Sequence, residues 1–186
     1  KTKSQMVPLG SPAPYFKLLD ASSHRDIQFN KENLGTPALV MFICNHCPYV
    51  KHLLPALATH MKKLQELGIL VFGVNSNDFK EYPEDSPQNM KKIAQDFGFT
   101  FPYLVDSSQK TAEDYRAVCT PDFFLYDKNH LLFYRGQMDK SRPGGREPND
   151  AFDLLNAATR LKEKSPPPED QYPSLGCNIK WKNKEL

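Results

Sequence analysis

The sequence predicts an α/β domain with a central mixed β-sheet flanked by helices, and three features predict it. Two continuous apolar runs, residues 38–43 (ALVMFI) and 69–74 (ILVFGV), read as strands buried on both faces. Between them the pattern turns helical from Pro48. Val50, Leu53, Leu54, Leu57, Met61 and Leu64 recur at steps of three and four residues, on one side of a helix. Such a strand–helix–strand unit pairs its strands in parallel with a right-handed crossover. Further on, residues 123–126 and 131–134 are apolar runs joined by Asp127-Lys128-Asn129. That hairpin signal adds antiparallel strands, so the sheet is mixed.

The other elements follow in order. Residues 15–19 and 27–29 are short strand-like pieces around the polar turn Ser22-Ser23-His24, an N-terminal β extension. Gly68 is a stop signal for the first helix. Residues 75–87 are polar and contain proline, and read as a loop. Ser86 is placed to cap a helix running through Met90, Ile93 and Phe97, with Pro87 in its first turn. A short strand at 103–105 and a short helix at 109–118 precede the hairpin. An amphipathic helix at 149–162 closes a domain spanning residues 1–164. The run Pro166-Pro167-Pro168 then opens an extended C-terminal tail, residues 165–186. Its segment 175–181 (LGCNIKW) holds the only Trp and a Cys, and is expected to pack on the domain.

A chain of 186 residues with 39% hydrophobic content suits one domain with a substantial core. No stretch reaches the roughly 18–20 apolar residues of a membrane helix. The 24 basic residues are interleaved with 22 acidic ones, and this near-balance argues against a nucleic-acid binder. Residues 1–5 are polar and lead to Pro8 and Pro12 without the apolar stretch of a secretory signal. The cytoplasm is therefore the expected compartment. A trimmed leader, periplasmic targeting included, stays open because the first residue is Lys1.

Chemistry concentrates at Ile43-Cys44-Asn45-His46-Cys47-Pro48, where the first buried strand ends and the helix begins. Helix N-termini offer free backbone N–H groups, which lower a thiol's pKa from about 8.5. Pro48 suits the first helical position, so Cys47 is the last residue before the helix, and His46 adds positive charge next to it. Cys44 lies in the exit loop. Were the chain extended there, the two Cα atoms would be about 10 Å apart, too far for a disulfide. A turn at Asn45-His46 would bring them within range. The second signal is Cys119-Thr120-Pro121 before a buried strand. There a cis peptide is conceivable, although only about 5–6% of X-Pro bonds are cis, so a trans bond is the expectation from the residues alone. His24, His60 and His130 read as surface residues, and His52 as packed or exposed.

Residues 39–57 (LVMFICNHCPYVKHLLPAL) resemble the active-site segment of thioredoxin-like thiol reductases, L-V-x-F-W-A-x-W-C-x-x-C-x-x-x-x-P-x-L. In that overlay Cys47 takes the nucleophile's place, Pro55 that of the helix-kinking proline, and Val50 that of the resolving cysteine. Thr120-Pro121 with Phe123-Phe124-Leu125-Tyr126-Asp127 resembles the same family's cis-proline strand. Residues 10–16 (GSPAPYF) resemble the opening of the alkyl hydroperoxide reductase and thiol-specific antioxidant branch. C-N-H-C-P-Y-V-K, G-V-N-S-N-D, C-T-P-D-F-F, R-G-x-x-D-x-S-R-P and G-C-x-I-K-W are similar to motifs of peroxiredoxin-like thioredoxin-fold proteins of unassigned function. The likeness covers roughly residues 10–162 and implies a thioredoxin-like fold.

The resemblance implies a thiol–disulfide oxidoreductase without a cofactor, acting on a disulfide protein or a small thiol reductant. Cys47 would be the nucleophile and Cys44, Cys119 or Cys177 the resolving thiol, with His46, Pro48, Thr120 and Pro121 lining the substrate groove. For Cys177 itself, packing beside Trp181 without a redox role is the favoured expectation, and a tail folded back to Cys47 or Cys119 the alternative. A second reading is a hydroperoxide reductase. Against it, the peroxiredoxin pattern P-x-x-x-[TS]-x-x-C meets Val40 and Cys44 here, and its arginine falls near Pro121, leaving Arg135, Arg142 or Arg146 as substitutes. A third is a metal-binding redox chaperone built on Cys44, His46, Cys47 and Cys119.

Overall fold

The computed structural model describes residues 1–183; the last three residues of the predicted tail lie outside the described residues. Ten strands and four helices alternate along the described chain. They begin with β1 (Thr2–Lys3), β2 (Phe16–Asp20), β3 (Asp26–Phe29) and β4 (Ala38–Phe42), then α1 (Pro48–Glu66) and β5 (Leu70–Asn75). Next come α2 (Pro87–Asp96), β6 (Tyr103–Val105), α3 (Lys110–Tyr115), β7 (Cys119–Thr120) and β8 (Asp122–Tyr126). The chain continues with β9 (Leu132–Gly136), α4 (Phe152–Lys162) and β10 (Leu175–Asn178). Among the described residues no helix is long and apolar enough to cross a membrane.

Seven strands form the main sheet in the order β3-β2-β6-β5-β4-β8-β9. The pairs β4–β5 and β5–β6 are parallel, while β4–β8, β8–β9, β2–β6 and β2–β3 are antiparallel, which is the mixed sheet expected. The unbroken apolar run of β4 has a direct cause. Leu39 and Met41 belong to a core shared with α1, α2 and α4, whereas Ala38, Val40 and Phe42 belong to a second core with α3. A strand covered on both faces has no polar side to alternate.

Helix α1 starts at Pro48, with Cys47 as its N-cap, and buries every apolar position the periodicity selected. It also buries His60, whose ring Nε2 lies 3.1 Å from the Asn149 carbonyl. His130 is buried too, its ring set edge-on to Tyr15 and bonded to the Tyr15 hydroxyl. Both histidines correct the surface assignment. Helix α3 is shorter than 109–118 because Gln109 and Arg116, at its two ends, adopt left-handed backbone. Helix α4 starts at Phe152 rather than 149, since Asp139 captures the Ala151 N–H and fixes the approach. The loop at 75–87 contains a short 3-10 turn, Pro83–Asp85.

The tail does more than lie on the surface: β10 pairs antiparallel with β1 on one side and β7 on the other, a separate three-stranded sheet. On its way it crosses the end of β9 at Gly136. Gly136 has φ +126°, and a β-carbon there would sit well inside van der Waals contact of the Tyr172 carbonyl. Gly136→Ala is therefore expected to destabilise the fold by about 2 kcal/mol or more, from backbone strain and steric overlap together, read as a lower denaturant midpoint.

Candidate active site

The register of the main sheet builds the site. Phe42 pairs with Asp122, so the exit of β4 lies beside the entry of β8, and Thr120-Pro121 faces the Cys44–Cys47 segment. The Thr120–Pro121 peptide is cis, which overturns the trans expectation and agrees with the family likeness. The chain bends at Asn45-His46, and that bend brings both thiols onto Thr120, Cys44 beside its hydroxyl and Cys47 beside its carbonyl. All four cysteines are free, and Cys44, Cys47 and Cys119 are buried.

Cys47 is surrounded by donors. Its thiol is held at about 5, well below an ordinary cysteine, chiefly by the hydrogen bond from Cys44. Burial opposes this; the Cys177 thiol, the Val50 amide and the Cys177 amide assist it. The helix terminus, with His46 beside it, was the expected cause. Instead Val50 ranks behind two thiols, and the Cys47 side chain forms no full cap hydrogen bond. When protonated, Cys47 donates to the Thr120 carbonyl at 3.4 Å, a contact that ionisation gives up.

The other sulfurs are displaced the opposite way. Cys44 is pushed well above the usual thiol range because it donates to Cys47, with burial and the Asp85 charge adding to the effect. Its sulfur also lies 3.3 Å from the Thr120 hydroxyl. Cys177 is raised to about 11 by burial and by its own bond to Cys47. Cys119 is raised by burial and then by Asp122, and its sulfur points to the Pro121 carbonyl at 3.9 Å. Cys177 thus lies beside Cys47 rather than merely packing, while Cys119 is turned along its own strand.

Sequence reasoning missed Asp85, which organises the turn. Its carboxylate is 1% exposed. It accepts the Asn45 backbone N–H at 2.7 Å and the side-chain amides of Asn75 at 3.1 Å and Asn77 at 2.9 Å. Asn45 in turn accepts from the Tyr103 hydroxyl at 2.8 Å. His46 Nδ1 lies 2.6 Å from Asp85 but off the line of a good hydrogen bond, and its ring stacks parallel to Tyr82. His46 therefore faces Asp85 and Tyr82. The one available signal was the clustered amides of G-V-N-S-N-D. Asp122, just after the cis-proline, was missed as well; burial raises its carboxyl well above the usual range, against the opposing hydrogen bonds of the Phe123 amide and the Ser4 side chain.

For a metal, Cys44, His46 and Asp85 offer ligand atoms within 4.8 Å of one another; Cys47 and Cys119, expected in that set, are not among them. The Asp85 oxygens are already engaged by the amides above. Of the arginines proposed for peroxide, Arg135 donates to the Val7 carbonyl and Gln171, and Arg142 to the Asp139 and Ser141 carbonyls and Gln137. Arg146 is exposed.

A paired-cysteine turn at a helix start, faced by a cis-proline strand on a mixed sheet, defines a thioredoxin-fold thiol protein. Residues 9–135 match the AhpC/TSA family, and the chain belongs to that family. It is 28% identical over 130 residues to thiol-disulfide oxidoreductase ResA of Geobacillus thermodenitrificans, covering 69% of this chain and 68% of that one. An uncharacterized conserved protein of Geobacillus kaustophilus superposes with a TM-score of 0.95 at 42% identity, over 99% of this chain and 97% of that one. A hypothetical protein of Sinorhizobium meliloti does so at 0.95 and 38% identity, over 99% and 100%.

Proposed function

We propose that the protein is a thiol–disulfide oxidoreductase in which Cys47 is the nucleophile and Cys44 the resolving thiol. The observation that carries this is the convergence of both sulfurs on Thr120, Cys44 at 3.3 Å from its hydroxyl and Cys47 at 3.4 Å from its carbonyl, with one thiol lowered to about 5 and the other raised. The relatives named ResA support the reaction class. The Cys47 thiolate attacks one sulfur of a substrate disulfide. The substrate S–S bond breaks, its other sulfur leaves as a thiolate that takes up a proton, and a mixed disulfide forms. Cys44 was held protonated chiefly by donating to the Cys47 thiolate. Once that charge is consumed, Cys44 loses its proton more easily and attacks the Cys47 sulfur. The reduced substrate departs, and the Cys44–Cys47 bond is closed. A reductant thiol later reopens it. The commitments of Arg135 and Arg142 argue against the peroxide reading, which would depend on the exposed Arg146 for its anion clamp.

The test is trapping. With a disulfide substrate in excess, Cys44→Ser should accumulate a mixed disulfide on Cys47, seen by intact mass and peptide mapping, while Cys119→Ser should turn over like the parent. Accumulation in Cys177→Ser instead would move the resolving role to the tail. Hydroperoxide-dependent consumption of a thiol reductant, without disulfide turnover, would replace the reading altogether.

A further inference from the structure

We propose that β10 occupies the strand-pairing edge on which substrate docks. The substrate of Cys47 is then a disulfide in an extended polypeptide segment with a small residue just before its cysteine. The chain's own tail is a tethered competitor that must lift away. This inference rests on the thiol–disulfide reading above.

Four features of the tail carry it. β7 is the strand that leads into cis-Pro121, and β10 pairs with it antiparallel, Cys177 opposite Thr120 and Asn178 opposite Cys119. An extended partner added to a free edge gains backbone hydrogen bonds and places alternate side chains into the site. The thiol it delivers is Cys177, whose side chain and amide both act on the Cys47 sulfur. Gly176, just before it, lies against the cis peptide so closely that a β-carbon would overlap the Thr120 carbonyl. Finally, Cys47 is 1% exposed, so nothing as large as a polypeptide disulfide reaches it while the tail is seated. The tail is held by the pairings to β1 and β7, by Ser174 donating to the Pro121 carbonyl and by Ile179 bonded to Val118, and further by backbone bonds from Ser4 to Ser174, Gln137 to Tyr172 and Asp78 to Lys180. Its leader is the proline spacer at 166–168. These bonds keep the seated form dominant, and substrate meets Cys47 in the rarer open form, which weakening the seat populates more.

The experiment compares the full chain with Gly176→Val, which unseats β10 sterically, and with Ser174→Ala, which removes one side-chain bond and serves if the valine variant does not fold by circular dichroism. Cys47 alkylation by iodoacetamide should accelerate, by about tenfold or more in the valine variant and by less in the alanine one. Reduction of an extended disulfide-bearing peptide should accelerate in parallel. The peptide Ser-Leu-Gly-Ala-Asn-Ile-Lys, added to the unseated variant, should slow alkylation again, and its Gly-to-Val analogue should not. Unchanged alkylation in a folded variant overturns the inference. If alkylation accelerates but no form of the protein reduces any disulfide, the tail's covering role stands and the thiol–disulfide reading fails.

Discussion

Cys47→Ser is expected to lower turnover of a disulfide substrate by at least about a thousandfold, because a hydroxyl at the same place has no accessible anion to attack with. The same sulfur sets the pH dependence. Because its thiol is lowered to about 5, chiefly by Cys44, the alkylation rate of the parent should rise with pH through a midpoint near that value. Cys44→Ala removes the largest stabilising donor, so its midpoint should move up. A parent midpoint near 8.5, where a free cysteine titrates, would sink the assignment. Stability follows the same sign. A folded-state value below the ordinary 9.0 means the contribution of Cys47 is present in full above 9.0, and is lost as pH falls through about 5. Cys177, raised from 9.0 to about 11, acts in the other direction: its share is intact below 9.0 and disappears as pH climbs towards 11. Stability should therefore pass through a maximum in the alkaline range, measurable by denaturant titration at fixed salt.

The second large effect falls on a residue with no sulfur. Asp85→Ala is expected to destabilise the fold by about 3 kcal/mol, since a buried acceptor is removed while its donors stay behind. The Asn45 amide and the Asn75 and Asn77 side chains would lose their shared acceptor in a buried site. For a chain of this length the melting temperature should fall by roughly 10 °C. Activity should fall as well, because the Asn45 anchor shapes the bend that joins the two thiols. Asp85→Asn keeps the volume but turns one acceptor into a donor, so it should recover only part of the loss. A melting temperature within about 2 °C of the parent in the alanine variant would show that Asp85 does not hold the turn.

What could be read from the sequence were the elements whose cause is local or periodic. The α1 face, the doubly buried β4 and the placement of Pro48 at the first helical position need only spacing and side-chain type. What could not be read were features that depend on a distant partner. The residues that became β10 show no alternation, because that strand is defined by pairing with β1 and β7, far away in sequence. His60 and His130 read as surface because polarity alone says nothing about a waiting acceptor. The structure supplies one to each, the carbonyls of Asn149 and Thr36. Asp85 sits in a run that looks like a solvated loop, and only the convergence of Asn45, Asn75 and Asn77 reveals its task. The lowered Cys47 thiol was anticipated, but its chief cause was not: the strongest donor comes from a neighbouring sulfur rather than from the helix.

The three-stranded sheet also has a bearing on how the chain matures. A ribosome delivers α1 and the Cys47 turn more than a hundred residues before it delivers residues 174–179. The main sheet needs no strand beyond β9, so it can assemble while the edge at Thr120 is still bare. During that interval the most acidic thiol of the molecule stands open to any passing disulfide. Arrival of β10 covers that edge, so the small sheet is the last piece of the site to be completed.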